Sequence, residues 1–466
     1  MPVRLDVQIP RPEDKHALQG ALLGLFENKA GNWFASIVEP QNSSAWHVRI
    51  EGPNGFVWSE VFDGPDQLNE RYVAASVEHA LTTDRVLMDA LELSGFGPFR
   101  QTEFRFRPLE VLVGANGTGK TSLFDFLRAL REYTRSEIPP EIIPGWETRE
   151  VYHRPGADRL VWRLRLHSND MDYSVDGAII GPPGNPSVNY DRVHVKNRNG
   201  KLIAQLDRTG DKGWLFDDDA SNRAEIRNQR PNQLALRAYV SKAQPALNRA
   251  REIIDSWRFY SGIRFNDQQL RRPALIEKKP SLREDGGNLA SVLNWLQTEY
   301  RTIFNEIETH LRGIVPAFRG LELHASGAGR VTLKWNEHGL ISPLSAADLS
   351  DGSLRLLLWI TLALAPNPPL LVCIDEPEVG LHPRTLPKIA GLLQKLSDRT
   401  QVIVATHSSY LLTQFDIADI GILRKTDDGV ELLRPASSAA LVENLKEFGT
   451  DEIELMHRSN ELEALT

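Results

Sequence analysis

The sequence predicts an α/β fold built on a mixed sheet, with a small α+β unit in front of it. Three observations carry this reading. Leu109–Val113 is a short, continuously apolar run, as a strand buried on both faces would be, and it leads through a glycine-rich turn into a helical segment. Two later runs, Leu370–Ile374 and Gln401–Thr406, have the same character. Residues 1–85 instead mix short strand-like runs with amphipathic stretches of helix length.

The chain has 466 residues, 41% hydrophobic and 25% charged, enough to bury several cores without metals or disulfides. A single cysteine excludes an intramolecular disulfide, and the first residues lack the apolar stretch of a secretory signal. No run of 18 apolar residues occurs, so the sequence predicts a cytoplasmic protein with no membrane partner. The net charge of −8 is uneven: residues 1–85 sum to −5 and residues 221–283 to +9. The acidic total therefore does not dismiss nucleic acid, and the basic segment 221–283 is a candidate contact for it.

In residues 1–85 a helix is expected over Glu13–Lys29, with Leu18, Leu22, Leu23 and Phe26 on one face. Strands are expected at Trp33–Val38, Trp46–Ile50 and Phe56–Phe62, the last two joined by Glu51-Gly52-Pro53-Asn54-Gly55, and a second helix at Gln67–Leu81. Some double-stranded RNA binding domains share this α-β-β-β-α order, but the acidic balance favours a protein-contact module. From Leu87 onward Leu91–Leu93 and Phe104–Phe106 read as antiparallel strands around Gly95-Phe96-Gly97-Pro98. A helix is expected over Ser122–Leu130. Residues 135–340 read as a long insertion, with strand-like pieces at Leu160–Leu166 and Arg192–Lys196, a turn cluster at Gly181–Pro186, and a solvated acidic loop at Asp217-Asp218-Asp219. Leu289–Ile314 has one helical stripe, from Leu289 through Leu296 and Phe304 to Leu311, too short for a coiled-coil arm. The expected domains are thus 1–85, a main domain over 86–425, and a tail over 426–466 with a hairpin at Asp427-Asp428-Gly429 and a helix around Ala439–Lys446.

The chemistry concentrates in three places. Gly114-Ala115-Asn116-Gly117-Thr118-Gly119-Lys120-Thr121 fits G-x-x-x-x-G-K-[ST] at every fixed position. Glycines let such a loop wrap phosphate oxygens with inward N–H groups, and the helix N-terminus adds its positive end. Lys120 is then the cation for the β/γ phosphates, and the Thr121 hydroxyl is a Mg²⁺ ligand. Asn116, Gly117, Thr118, Gly119 and Ser122 complete the cradle. Next, the apolar run ending in Asp375-Glu376 places a metal-holding carboxylate, Asp375, before a residue able to polarise water, Glu376. Finally His407 ends the run Gln401–Thr406, within reach of a γ-phosphate. Cys373, on the Asp375 strand, reads as a small core residue.

A phosphate loop, Leu349-Ser350-Asp351-Gly352-Ser353, a strand ending Asp375-Glu376-Pro377, and a strand ending Thr406-His407-Ser408 form the motif order of ABC-type ATPases. The wording "GANGTGKTSLFDFLRAL", "DGGNLASVLNWL", "LSDGSLRLLLW", "IDEPEVGLHP" and "ATHSSYLL" resembles the soluble AAA/ABC branch that includes RecF, the SMC proteins and the OLD (overcoming lysogenization defect) ATPases. The resemblance covers about residues 86–425. It implies an ABC-type P-loop ATPase head, a mixed sheet plus a helical signature subdomain, using ATP and Mg²⁺. It implies phosphate and catalytic roles for Lys120, metal roles for Thr121 and Asp375, and catalytic roles for Glu376 and for His407 as the switch histidine. Ser350 and Gly352 would reach a nucleotide bound on a second protomer, so an ATP-dependent homodimer or higher homo-oligomer is expected. Asp351 stands where transporters carry glycine, and Gln229 and Gln233 are the candidates for the Q-loop glutamine. An ATP-hydrolysing switch in DNA maintenance or anti-phage defence is the function implied, its output supplied by a separate effector chain, since the 59 residues after His407 hold no nuclease constellation. The alternatives are an ATP-dependent scaffold with little turnover and a transporter ATPase subunit. Lys120 and Leu349 lie 229 positions apart, more than the latter needs.

Overall fold

The computed structural model describes residues 3–8, 16, 19–20, 22–23, 25–26, 33–38, 46–51 and 57–62 of the first 84. Of residues 85–437 it describes all but 148, 155, 217–222, 228–229, 242–243, 263–264, 266 and 428. The chain divides into two compact units, Met1–Arg85 and Val86–Thr466.

The first unit is a four-stranded sheet. Val3–Gln8 pairs in parallel with Trp33–Val38, which runs antiparallel to Trp46–Glu51, and that strand to Val57–Phe62. The expected order misses the opening strand, so the unit begins β-α-β. A parallel pair cannot be closed by a tight turn, and the helical residues from His16 to Phe26 lie in the crossover between the two strands. Leu22 and Phe26 are buried, but Leu23, expected on the same face, is 48% exposed. The expected helix at Gln67–Leu81 lies outside the described residues.

The second unit has the expected fold class, a P-loop head with a mixed sheet and a helical subdomain. Its centre is a six-stranded sheet in the order Arg258–Ser261, Leu371–Asp375, Gln401–Ala405, Leu109–Val113, Ile420–Thr426, Gly429–Leu433. The first four pairings are parallel and only the last, the expected C-terminal hairpin, is antiparallel. The apolar runs are continuous because both faces are covered. Leu112, Cys373, Ile403 and Ala405 face one core, shared with the helix Lys120–Arg135. Val111, Val113, Val372, Ile374, Val402 and Val404 face the other, shared with the helices Asp351–Leu364 and Leu386–Ser397.

The stretch read as an insertion becomes mainly sheet. Arg159–His167, Met171–Ile180, Ser187–Asn197, Leu202–Thr209, Lys212–Phe216 and Arg223–Arg227 extend the pair Leu87–Phe96 and Phe99–Arg105 into an eight-stranded antiparallel sheet over the first core. The stripe Leu289–Ile314 is two helices, Leu289–Glu299 and Arg301–Ile314, parted at Tyr300. Leu289, Val292, Leu293 and Leu296 are buried from one, and Phe304, Ile307 and Leu311 from the other. No buried residue lies between Leu296 and Phe304, so the break costs the core nothing. The Asp217-Asp218-Asp219 loop and the Ala439–Lys446 helix fall outside the described residues.

Candidate functional site

The parallel strands end at one edge of the core sheet, and the turns leaving them carry the motif residues. After Val113 the chain passes through Gly114, Gly117 and Gly119, all at positive φ (147°, 81° and 101°), a path that side chains on β-carbons oppose. At Gly119 a β-carbon would also lie 2.6 Å from the Phe99 ring. Lys120 opens the helix and is buried. Its Nζ donates to the carbonyls of Gly114 at 2.5 Å and Ala115 at 3.2 Å. Thr118 is tucked in, its Oγ1 donating to the Ala115 carbonyl at 2.9 Å, whereas Asn116, Gly117 and Thr121 are exposed and Ser122 is half-buried.

Asp375 is level with Ala405 on the neighbouring strand, and Ala405 with Leu112 beyond it. The two strand spacings separate it from the phosphate-loop strand by ~10 Å. Glu376 follows at φ 53°, left-handed for a residue with a β-carbon, with its N–H donating to the Ala405 carbonyl at 2.8 Å. His407 comes off the intervening strand, and its Nε2 lies 3.9 Å from Glu376 Oε1. Partial burial, then the Lys120 charge, push the His407 imidazole below its ordinary value, against the pull of Glu376. It is therefore neutral at physiological pH.

Thr121 hydroxyl and Asp375 carboxylate are hard oxygen donors, the set that suits Mg²⁺. The described residues contain no cluster of three or more His, Cys, Asp or Glu that would form an all-protein metal cage. A two-ligand arrangement fits an ion that keeps waters and is completed by nucleotide phosphates.

Ser350 caps the helix Asp351–Leu364, its Oγ accepting from the Ser353 N–H at 3.1 Å. Ser350 is exposed. Gly352 packs so closely that a β-carbon would lie 2.8 Å from the Gly380 carbonyl. The turn Ser350-Asp351-Gly352 thus leans on the turn that leaves Glu376.

Two things escaped the sequence. Glu378 is half-buried: Oε1 accepts from Thr406 Oγ1 at 2.7 Å and from the His407 N–H at 3.1 Å. Its Oε2 is buried with no hydrogen-bond partner among the described residues. Burial raises this carboxyl above its usual range. The other is the strand beside Asp375. It is Arg258–Ser261, with Ser261 level with Asp375 and the Gly262 N–H donating to the Asp375 carbonyl at 2.8 Å. Gln268 and Gln269 follow it. Gln233 lies beside the antiparallel sheet, its backbone carbonyl accepting from Arg208 Nη2 at 2.9 Å, and Gln229 is outside the described residues. Four residues reading Arg-Phe-Tyr-Ser give little periodicity to find.

The basic segment is spread over several elements. Arg258 donates to the carbonyls of Asp255, Ser256 and Trp257, Arg237 to that of Arg135, and Arg251 to that of Val240. Arg230 pairs with Glu137, Arg227 with Glu225, and Arg223 lies 3.4 Å over the Trp214 ring. Arg227 and Arg230 keep most of their side chains exposed, so the segment combines arginines tied to backbone carbonyls with others that face solvent.

Residues 111–413 match the protein family described as "AAA domain, putative AbiEii toxin, Type IV TA system". A 57-residue stretch, 12% of the chain, is 46% identical to the phosphate import ATP-binding protein PstB of Mycobacterium intracellulare and spans only 20% of that protein. Among solved structures, the chain is similar to an Smc head domain with an extended coiled coil bound to the C-terminal domain of ScpA derived from Pyrococcus furiosus (13% identity, TM-score 0.44, 78% of this chain and 100% of that one). It is also similar to the SMC head domain from Thermotoga maritima (15% identity, TM-score 0.36, 74% and 98%). With a family match that begins inside the phosphate-loop strand and runs past His407, over well more than half its length, the chain belongs to this AAA-domain ATPase family.

Proposed function

We propose that the protein is an ATP-hydrolysing switch of the RecF/OLD type, in which two protomers enclose nucleotide between the phosphate loop of one and the signature turn of the other. One observation carries this reading: Lys120, Asp375-Glu376 and His407 leave adjacent strands at one sheet edge, with His407 Nε2 3.9 Å from Glu376. Lys120 would bind the β/γ phosphates, Thr121 and Asp375 would hold Mg²⁺, and that ion would neutralise phosphate charge. Glu376 would orient and polarise the attacking water, and neutral His407 would hydrogen-bond the γ-phosphate. Ser350 and Gly352 would act across the dimer, where the exposed helix N-terminus suits an anion held by another chain.

The output is assigned to a separate effector in the cytoplasm, in anti-phage defence or DNA maintenance. The family description, which names a toxin of a type IV TA system, supports an effector-linked role. Turnover by the purified protein is the test: Mg²⁺-dependent phosphate release that persists in Lys120→Ala would overturn the reading.

A further inference from the structure

The turn that carries Ser350 is held by one side chain from another part of the chain. Arg271, which follows the helix Asp267–Leu270, sends Nη1 to the carbonyls of Ala346 at 3.1 Å, Ala347 at 3.0 Å and Leu349 at 2.6 Å. Its Nη2 pairs with the Asp351 carboxylate. These carbonyls precede the helix Asp351–Leu364, so no intrahelical N–H satisfies them. On its other side the same turn rests against Val379-Gly380: Arg355 donates to the Val379 carbonyl at 3.1 Å, and Gly352 abuts the Gly380 carbonyl.

We propose that Arg271 is the positioning residue of the signature turn, fixing Leu349-Ser350-Asp351-Gly352 in the shape that it offers to nucleotide on a second protomer. The inference rests on the composite-site reading above. The helix does not need Arg271 to form, because Ser350 already caps it and its apolar face is buried from Leu354 to Leu364. The contact lies at the rim, with Asp351 53% exposed, so water can solvate the freed carboxylate when Arg271 is removed. What is lost is the placement of an exposed turn, and misplacement of about an ångström costs on the order of a hundredfold in rate. The planar fork reaches several acceptors at once, which a lysine ammonium on a flexible stem does not reproduce.

The test uses full-length protein and ATP. Arg271→Ala is expected to keep its melting temperature and nucleotide affinity while turnover falls roughly ten- to hundredfold. Arg271→Lys should fall between it and the wild type. Because the defect is in the turn given to the partner, mixing Arg271→Ala with Lys120→Ala should recover turnover: the first supplies an intact phosphate loop and the second an intact signature turn. The control mixture is Ser350→Arg with Lys120→Ala. Recovery in the control but not with Arg271→Ala, or wild-type turnover by Arg271→Ala alone, overturns the role of Arg271. Recovery in neither mixture overturns the composite site itself. Should the alanine variant melt early, Arg271→Lys is carried through the same mixtures and judged by the same outcomes.

Discussion

Lys120 has its ammonium folded onto the carbonyls of Gly114 and Ala115, which occupy the donors that phosphate oxygens would take. Replacing it by alanine removes the one buried cation of the loop, and Lys120→Ala is expected to abolish nucleotide binding in a fluorescent-ATP titration. Glu376 poses the opposite problem. A side chain at φ 53° costs on the order of 1–3 kcal/mol and is tolerated because the Ala405 carbonyl holds its N–H. Glu376→Gly should therefore raise stability by about 1 kcal/mol in a denaturant melt while hydrolysis is lost. Glu378 lies a step behind both, tying the turn after Glu376 to the backbone of His407. Glu378→Ala frees that loop and should lower kcat roughly tenfold with KM little changed, since the phosphate loop is untouched. Equal losses in kcat and nucleotide affinity would assign Glu378 to folding instead.

Among the elements, those with strong local chemistry were legible from sequence and those defined by distant neighbours were not. The phosphate loop, its helix and the strand of Asp375 announce themselves because each couples an unmistakable apolar run to a turn that side-chain chemistry dictates. The break at Tyr300 is invisible to periodicity, since apolar residues continue at helical spacing through it; only burial shows that no core contact spans it. Val3–Gln8 and Arg258–Ser261 become strands through pairing, with Trp33–Val38 and Leu371–Asp375 respectively. The antiparallel sheet was legible in pieces, as the pair around Gly95-Phe96-Gly97-Pro98, the strand-like Leu160–Leu166 and Arg192–Lys196 and the turn at Gly181–Pro186, but nothing local shows that six strands join that pair. It is pinned by Asp191, whose carboxylate accepts from buried Arg208 on the next strand and from the Ala235 N–H of a short helix. Burial pushes the Asp191 carboxyl up, and the Arg208 guanidinium beside it pulls the other way. Asp191→Ala strands a guanidinium only 1% exposed and should cost about 3–5 kcal/mol, read as a loss of melting temperature.

For the molecule as a whole, the proposed dimer makes hydrolysis a property of two chains. Glu376→Gln keeps the shape of the carboxylate but not its basicity. It should hold ATP and Mg²⁺ without turnover, so that the closed form accumulates. Light scattering with and without ATP is expected to show a rise in mass or a more compact particle for this variant. A mass and shape indifferent to ATP would leave the signature turn without a partner nucleotide. No helix among the described residues is long and apolar enough to cross a membrane.

The position of Leu109–Val113 in the middle of the parallel sheet has a consequence for biosynthesis. Both its neighbours, Gln401–Ala405 and Ile420–Thr426, are made long after the phosphate loop has left the ribosome. The Met88 N–H waits for the Gln401 side chain, 313 positions along. Pairings that close such long loops are slow and leave apolar edges open meanwhile. A chain stopped at Thr400 is thus expected to carry every residue of the phosphate loop and bind no ATP, and to be cleaved by protease at rates that nucleotide does not change. Protection should arrive only with the strand that delivers His407, so that nucleotide binding waits for a strand made long after the phosphate loop.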